Sequence, residues 1–300
     1  MSGASLRRRA PLLGTILCSV LLLVLVSGWL LTEDQTSRSD ALRTGGLAGG
    51  AVIALYALWL NDRRRRVEEA RQEIERQRHE HDRERVADER FARSVELLGN
   101  EADQVRVGAL HALAALAKGR ADYTQTVLDV LCAYLRRPFG HSRYNDDGGG
   151  ATDDNSIAAE HELQVRLTAQ RLVVVLLPKT GEPHIPAPDL DLTGAVLEYL
   201  DLSGRRIGEL TLRYARLHST TDLSGCEISG PAWFTAAEVR SGRLGGRFLC
   251  RDVLFHDRAG FDGFTVNGLA DFTGTRFEAA STFTEATFEN EVSPRAIRGA

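Results

Sequence analysis

The last third of the chain repeats every five residues, a period that neither an α-helix (3.6) nor a simple strand (2) can use. Read in fives from Leu190, it runs LDLTG, AVLEY, LDLSG, RRIGE, LTLRY, ARLHS. Large apolar residues stand at Leu192, Leu197, Leu202, Ile207, Leu212 and Leu217. With single-residue slips the series continues through Leu223, Ile228, Phe234, Val239, Leu244, Cys250, Phe255, Phe261, Val266, Phe272, Phe277, Phe283 and Phe288, which makes 19 centres. From Leu244 onward the spacing alternates six and five. A small residue recurs two places before a centre, as at Ala195, Ala215, Cys226, Ala232, Ala237, Ala259 and Ala270. The residue between is usually polar, as at Asp191, Asp201, Asp222 and Asp271, which reads as a solvated outer face.

A period this short demands a chain that turns every five residues, with one small and one large side chain inward per segment. Four such sides close a coil of about 20 residues, and stacked coils pair backbone to backbone at ~4.8 Å. Four sides per coil give just under five coils, a rod about 23 Å long at that spacing. The six-residue steps are expected to hold their extra residues at corners. A skipped ladder position would open a cavity costing about 2–5 kcal/mol.

Two uncharged stretches precede this region, separated by a polar loop (TEDQTSRSDALR). Residues 11–31 are rich in Leu and Val, and residues 44–60 (TGGLAGGAVIALYALWL) form the second run. A helix of about 20 apolar residues spans a bilayer core, so the pair reads as a transmembrane hairpin occupying residues 1–61. Gly45, Gly46, Gly49 and Gly50 make two overlaid GxxxG spacings that allow close helix approach in lipid. Arg7–Arg9 precede the first run and Arg63–Arg66 follow the second, which places both termini in the cytoplasm of a multi-pass plasma-membrane protein.

Residues 62–90 form a charged juxtamembrane helix. Between Asp62 and Glu96, 11 arginines balance 11 carboxylates, and pairs such as Glu75–Arg78 and Glu80–Arg83 support a solvated helix. His79 and His81 lie two apart, on different faces, so they read as solvated side chains. Residues 91–139 carry amphipathic helices. One is expected to bury Val105, Ala109, Ala112, Leu113 and Leu116; another is opened by an Asp122/Gln125 capping box and buries Val127, Leu128, Leu131, Tyr134 and Leu135. A polar linker (140–156, GHSRYNDDGGGATDDNS), a helix and connector (157–186), the repeat (187–292) and a tail (293–300) complete the chain.

The motifs LDLTG, LDLSG, TDLSG, ADFTG and ATFEN resemble the pentapeptide repeat family, consensus A-(D/N)-L-x-x. Arg205, Leu210, Phe248 and Phe264 depart from it at small-residue positions. The segment from Asp103 to Leu116 resembles a single HEAT-like helical repeat. The whole arrangement is similar to bacterial membrane proteins that join two spans and a helical segment to a pentapeptide-repeat tail. The resemblance implies an α+β membrane protein: a two-helix hairpin, a charged helix, a small HEAT-like module, then a right-handed quadrilateral β-helix. It implies little about biochemical role.

No P-loop, GxGxxG, GxSxG, HExxH or Ser/His/Asp cluster occurs. The four cysteines show no CxxC spacing, and Cys226 and Cys250 fall on inward positions as apolar fillers. An enzyme is not expected, and no catalytic, cofactor-binding or metal-ligating residue and no cofactor is assigned. Two readings remain: a membrane-anchored scaffold whose flat faces bind an unidentified cytoplasmic protein, or a DNA mimic that inhibits a topoisomerase or another DNA-binding protein. From Ala187 onward, 16 acidic and 12 basic residues leave a net charge of −4. A duplex carries one charge per ~1.7 Å, a far denser field, so the scaffold is the favoured reading. The expected partners are the lipid bilayer and that protein, with nucleic acid not expected; the sequence does not fix an oligomeric state.

Overall fold

The structure, a computed structural model, describes residues 14, 17–22, 24–25, 28–29, 38–144, 153–182, 185–290 and 292–293. It divides into two compact units, Met1–Glu84 and Arg85–Ala300.

Helix α1 (Arg38–Leu98) begins in the first unit and ends in the second. The apolar run 44–60 is helical throughout, and so is the segment Arg38–Arg43, which the sequence assigns to the polar loop. Leu47, Ile53, Leu58 and Trp59 are exposed, with the Arg63 guanidinium 5.4 Å from the centroid of the Trp59 ring. Among the described residues no helix is long and apolar enough to cross a membrane. The run 44–60 is at the short end of what a span uses, rising about 26 Å as a helix against a hydrocarbon core about 30 Å thick. Gly45, Gly46, Gly49 and Gly50 further dilute its apolar character. Most of the run 11–31 lies outside the described residues. Among the described residues, therefore, no spanning helix supports the two-span hairpin. Every described side chain from Gln72 to Glu84 is exposed, His79 and His81 included, which suits a helix whose carboxylates and arginines alternate.

In the second unit, α2 (Asp103–Gly119), α3 (Thr124–Arg136) and α4 (Asp153–Leu176) pack on one another, and α3 and α4 pack on the first solenoid turn. Helix α2 buries Ala109, Leu110, Leu113, Ala114 and Ala117, whereas Ala112 is exposed and Val105 and Leu116 are half-buried. The stripe is rotated from the expected one because a run rich in alanine carries little phase information; Leu110 settles it. The buried face of α3 is the expected one, with Cys132 added. Its capping box does not form. Asp122 accepts instead from Arg120 (2.9 and 3.2 Å), and Gln125 reaches the solenoid, exchanging two hydrogen bonds with the Asp189 backbone (2.9 and 3.1 Å).

The repeat folds as a parallel β-solenoid of about four turns, its short strands gathered into four sheets. The first face holds Leu190–Asp191, Leu210–Thr211, Ala232–Trp233, Ala259–Gly260 and Ser281–Thr282. The second runs from Val196–Glu198 through Arg216–His218 and Glu238–Arg240 to Thr265–Val266 and Thr287–Phe288. The third is Thr220–Asp222, Arg247–Leu249, Leu269–Asp271 and Val292–Ser293; the fourth is Arg206–Ile207, Glu227–Ile228, Leu254–Phe255 and Arg276–Phe277. On the first face Leu190 pairs with Leu210, Leu210 with Ala232, Ala232 with Ala259, and Ala259 with Ser281, so the third turn is the longest. Its extra length comes from one insertion: Ser241–Gly246 stand where Ser219 alone stands one turn earlier.

That insertion corrects one expected centre. Leu244 lies within it and is 55% exposed; Phe248 and Cys250 are the inward pair of that side. Leu244 happens to sit in phase with Cys250, so counting alone could not separate it from the ladder. From Leu192 to Phe272 the other centres are all buried; Phe283 and Phe288 are buried at the last turn, and Phe277 is half-buried. The column changes from Leu and Ile at its start to phenylalanine at its end, where Phe234, Phe261 and Phe283 stack at 4.6 and 4.7 Å and Phe255 on Phe277 at 5.0 Å.

The corners explain the D-L-(S/T)-G motif. The Leu192 carbonyl accepts from the Ala195 N–H at 3.1 Å. Gly194 between them holds φ 67°, the left-handed third residue that a type II turn requires. The Asp191 carboxylate accepts from the Thr193 N–H (3.0 Å) and hydroxyl (2.6 Å). Asp201 and Asp271 do the same at Ser203 and Thr273, and Asp222 accepts from the Ser224 N–H. These carboxylates fasten corners rather than merely facing water.

Candidate functional site

Two features of the second unit carry chemistry beyond packing: a buried polar clasp on the second face and the outward ladders. The clasp centres on Glu198, whose side chain is 1% exposed. Its position, one past the Leu197 centre, is outward, and in a bare solenoid it would meet water. Here the chain covers it twice. A short turn at Ser142–Tyr144 folds over it from the helical module, and the Ser241–Gly246 insertion folds over it from the third turn. Glu198 accepts from the Tyr144 hydroxyl (2.8 Å), the Ser219 hydroxyl (3.1 Å), the Arg243 backbone N–H (3.0 Å) and the Arg143 guanidinium (3.5 Å). Gly242 makes this approach possible, since a Cβ there would lie 2.8 Å from Glu198 Oε1 and 2.5 Å from Ser219 Oγ. One turn along, His218 stacks under Tyr144 (4.0 Å, 16°) with Nδ1 3.1 Å from the Ser241 carbonyl. Glu160 on α4 gathers His141, Arg143 and Arg243 at 3.1, 3.0 and 3.3 Å.

Burial acts to raise the Glu198 carboxyl, yet the Arg243 N–H, the two hydroxyls and the Arg143 charge outweigh it and hold it below the ordinary carboxylate range. At Glu160 burial is likewise outweighed, by Gln164, His141 and Arg143. Burial depresses the His218 imidazole, more than the Ser241 carbonyl and the Glu198 charge restore it. Burial and then the Glu198 hydrogen bond push the Tyr144 phenol up. All four stay in the forms that hold the clasp shut at neutral pH. No local signal in AVLEY or HSRYN announces this pairing; only the long third turn hints that something must fill the space beside Glu198.

A second buried network joins helices to solenoid. Arg166 is 1% exposed. It donates to the Tyr134, Leu135 and Arg137 carbonyls, at the end of α3 where helical partners run out. It also donates to the Val196 carbonyl on the first turn, at 3.3 Å. Its guanidinium lies 4.8 Å from the centroid of the Phe139 ring. Burial lifts the Cys132 and Cys226 thiols to about 12 and moves Cys250 in the same direction. At neutral pH these sulfurs therefore carry little thiolate. Among the described residues no group of three His, Cys, Asp or Glu side chains is gathered to hold a metal ion.

No family model, curated protein or solved structure matches this chain. The four parallel sheets are compatible with a pentapeptide-repeat fold, and the corners account for the residues that carry the resemblance.

Near neutral pH two histidines pull stability in opposite directions. The folded pKa of His218 is depressed, so its contribution is complete above the ordinary 6.5 and is lost as pH falls through the folded value. His256 on the fourth face is raised, chiefly by its hydrogen bond with Glu278 and further by Glu227. It therefore stabilises below 6.5 and loses that contribution as pH rises through its folded value. In a His256→Gln protein only the first effect remains, and the urea midpoint is expected to fall steadily from about pH 7 to about pH 5. A midpoint independent of pH over that range would contradict the buried placement of His218. Below the ordinary carboxylate value of 4.5, Glu198 and Glu160 add loss of the same sign.

Proposed function

We propose that this protein is a membrane-anchored, non-catalytic scaffold of the pentapeptide-repeat kind, whose solenoid presents flat faces to a cytoplasmic protein. The observation that carries the scaffold reading is the division of labour within each solenoid turn. Apolar side chains fill the axis, corner carboxylates are committed to their own turns, and most of the remaining outward positions present side chains to solvent along the stacked strands. The buried, thiol-form cysteines support a structural role for the soft nucleophiles inside the solenoid. Anchoring is supported by the exposed Leu47, Ile53, Leu58 and Trp59 along α1, an apolar surface that water does not favour and lipid does. Arg63 beside Trp59 gives that segment an interfacial end.

Two measurements test the anchoring. Membranes from cells making the full chain should retain it through an alkaline carbonate wash and release it only to detergent; recovery in the first soluble fraction would refute anchoring. An alkaline phosphatase fusion between Thr32 and Arg43 should be active and one at the C-terminus inactive, the reverse pattern refuting the topology. For the partner, photo-crosslinkers on each of the four outer faces should give adducts from one face and not from the others.

A further inference from the structure

The first face of the solenoid is floored by short side chains: Thr211, Gly260 and Thr282 beside the centres, Thr235 and Thr284 beyond them. Three large residues stand on that floor. The Trp233 ring occupies the space above Gly260, where a Cβ would lie 2.8 Å from Cε3 and 3.1 Å from Cζ3, so residue 260 must be glycine for the indole to sit there. Arg213, one turn earlier, lays its guanidinium over the same indole at 4.6 Å. Tyr214 follows at the corner, 64% exposed. It holds φ 57°, as Ala236 (52°) and Glu285 (59°) do at the corresponding corner of other turns, where Gly194 and Gly263 stand in the rest.

We propose that Arg213, braced on Trp233, is a pre-positioned anchor for a carboxylate of a protein partner, with Tyr214 as the aromatic contact beside it. The inference rests on the scaffold reading and adds the face and the chemistry that the face selects. Arg213 has no carboxylate within ion-pair distance among the described residues, and two acids of its own face, Asp191 and Asp262, are committed elsewhere. Asp191 is taken by Thr193 and Arg136, and Asp262 by the Thr282 hydroxyl (2.8 Å) and the Thr284 N–H (3.1 Å). The planar guanidinium lies against the indole and keeps its N–H edge for a bidentate acceptor. Holding it there removes much of the side-chain freedom that binding would otherwise have to quench. Arginine, tryptophan and tyrosine are also the residues that dominate interface hot spots. Phosphate-bearing nucleic acid fits this face poorly. It needs a run of cations, and here Arg213 stands among Asp191, Asp262 and Glu285.

The test uses the full chain in detergent, immobilised and panned with a random peptide display library. Enriched peptides should carry Asp or Glu next to an aromatic residue. The best of them, made synthetically, should bind about tenfold or more weakly to Arg213→Thr. Arg213→Lys, which keeps the charge and loses the fork, should weaken binding several-fold. Tyr214→Gly should weaken binding although glycine suits that backbone better. Enrichment of peptides without carboxylates, no enrichment, or unchanged binding to Arg213→Thr would overturn the assignment. Crosslinks confined to another face would also overturn it while leaving the scaffold reading intact; loss of membrane retention would strike the anchoring and leave this site untouched.

Discussion

Replacing Phe261 with alanine is expected to cost about 3–5 kcal/mol of unfolding free energy, the range for truncating a fully buried aromatic. The ring lies between Phe234 and Phe283 and meets Phe248, Phe255, Phe264, Phe272 and Phe277 edge-on at 5.6 to 6.5 Å. The void would be closed on all sides by backbone that is hydrogen-bonded from turn to turn, so it cannot collapse. Native proteins hold only about 5–15 kcal/mol in total, and the variant should melt roughly 10 °C or more below the parent. Phe277→Ala is the control: its ring is half-buried at the fourth face, and the loss there should be clearly smaller. Far-UV circular dichroism through a urea titration measures both. Equal losses at 261 and 277 would mean that the column is not what stabilises the solenoid.

How much of this is legible in the sequence depends on whether the information is local. The inward column is, because each centre is fixed by its own pentapeptide and the corner by its own Asp-Leu-Ser/Thr-Gly. The count fails at Leu244, since an insertion carrying a leucine in phase with Cys250 is indistinguishable from a repeat until the sheets are paired. The α2 stripe fails for a related reason: a run of alanines marks no face. The clasp is not legible at all. Tyr144 and Arg243 stand 54 and 45 positions from Glu198, and each alone reads as a solvated polar residue. The same holds for Arg213 and Trp233, which meet because successive solenoid turns bring distant positions side by side. In a stacked fold, chemistry arises between turns, and a period reports only what happens within one.

Glu198→Ala is expected to be the most damaging change at a polar position, with a loss of about 3–5 kcal/mol, the range for breaking a buried charge pair by removing one member. The carboxylate is the common acceptor for four donors that come from three places: Tyr144 and Arg143 from the helical module, Ser219 from the second turn, and the Arg243 N–H from the insertion. Without it the two hydroxyls and the Arg243 N–H face one another beneath Gly242 with no other acceptor given to them, and the Arg143 guanidinium keeps only Glu160. Tyr144→Phe removes one donor and leaves the carboxylate with three, so its loss should be nearer about 1 kcal/mol. The two changes should not add: once Glu198 is gone, the tyrosine hydroxyl has nothing to bind, and Tyr144→Phe in that background should cost nothing or restore stability. A denaturant double-mutant cycle reads this directly. Hydrogen exchange locates the damage, with faster exchange expected at Arg243 and Leu244, whose N–H groups are held by Glu198 and Ser219. If the single changes proved additive, or if exchange at the insertion stayed slow in Glu198→Ala, the insertion would be held by its own backbone and the clasp would not be what joins it to the first turn.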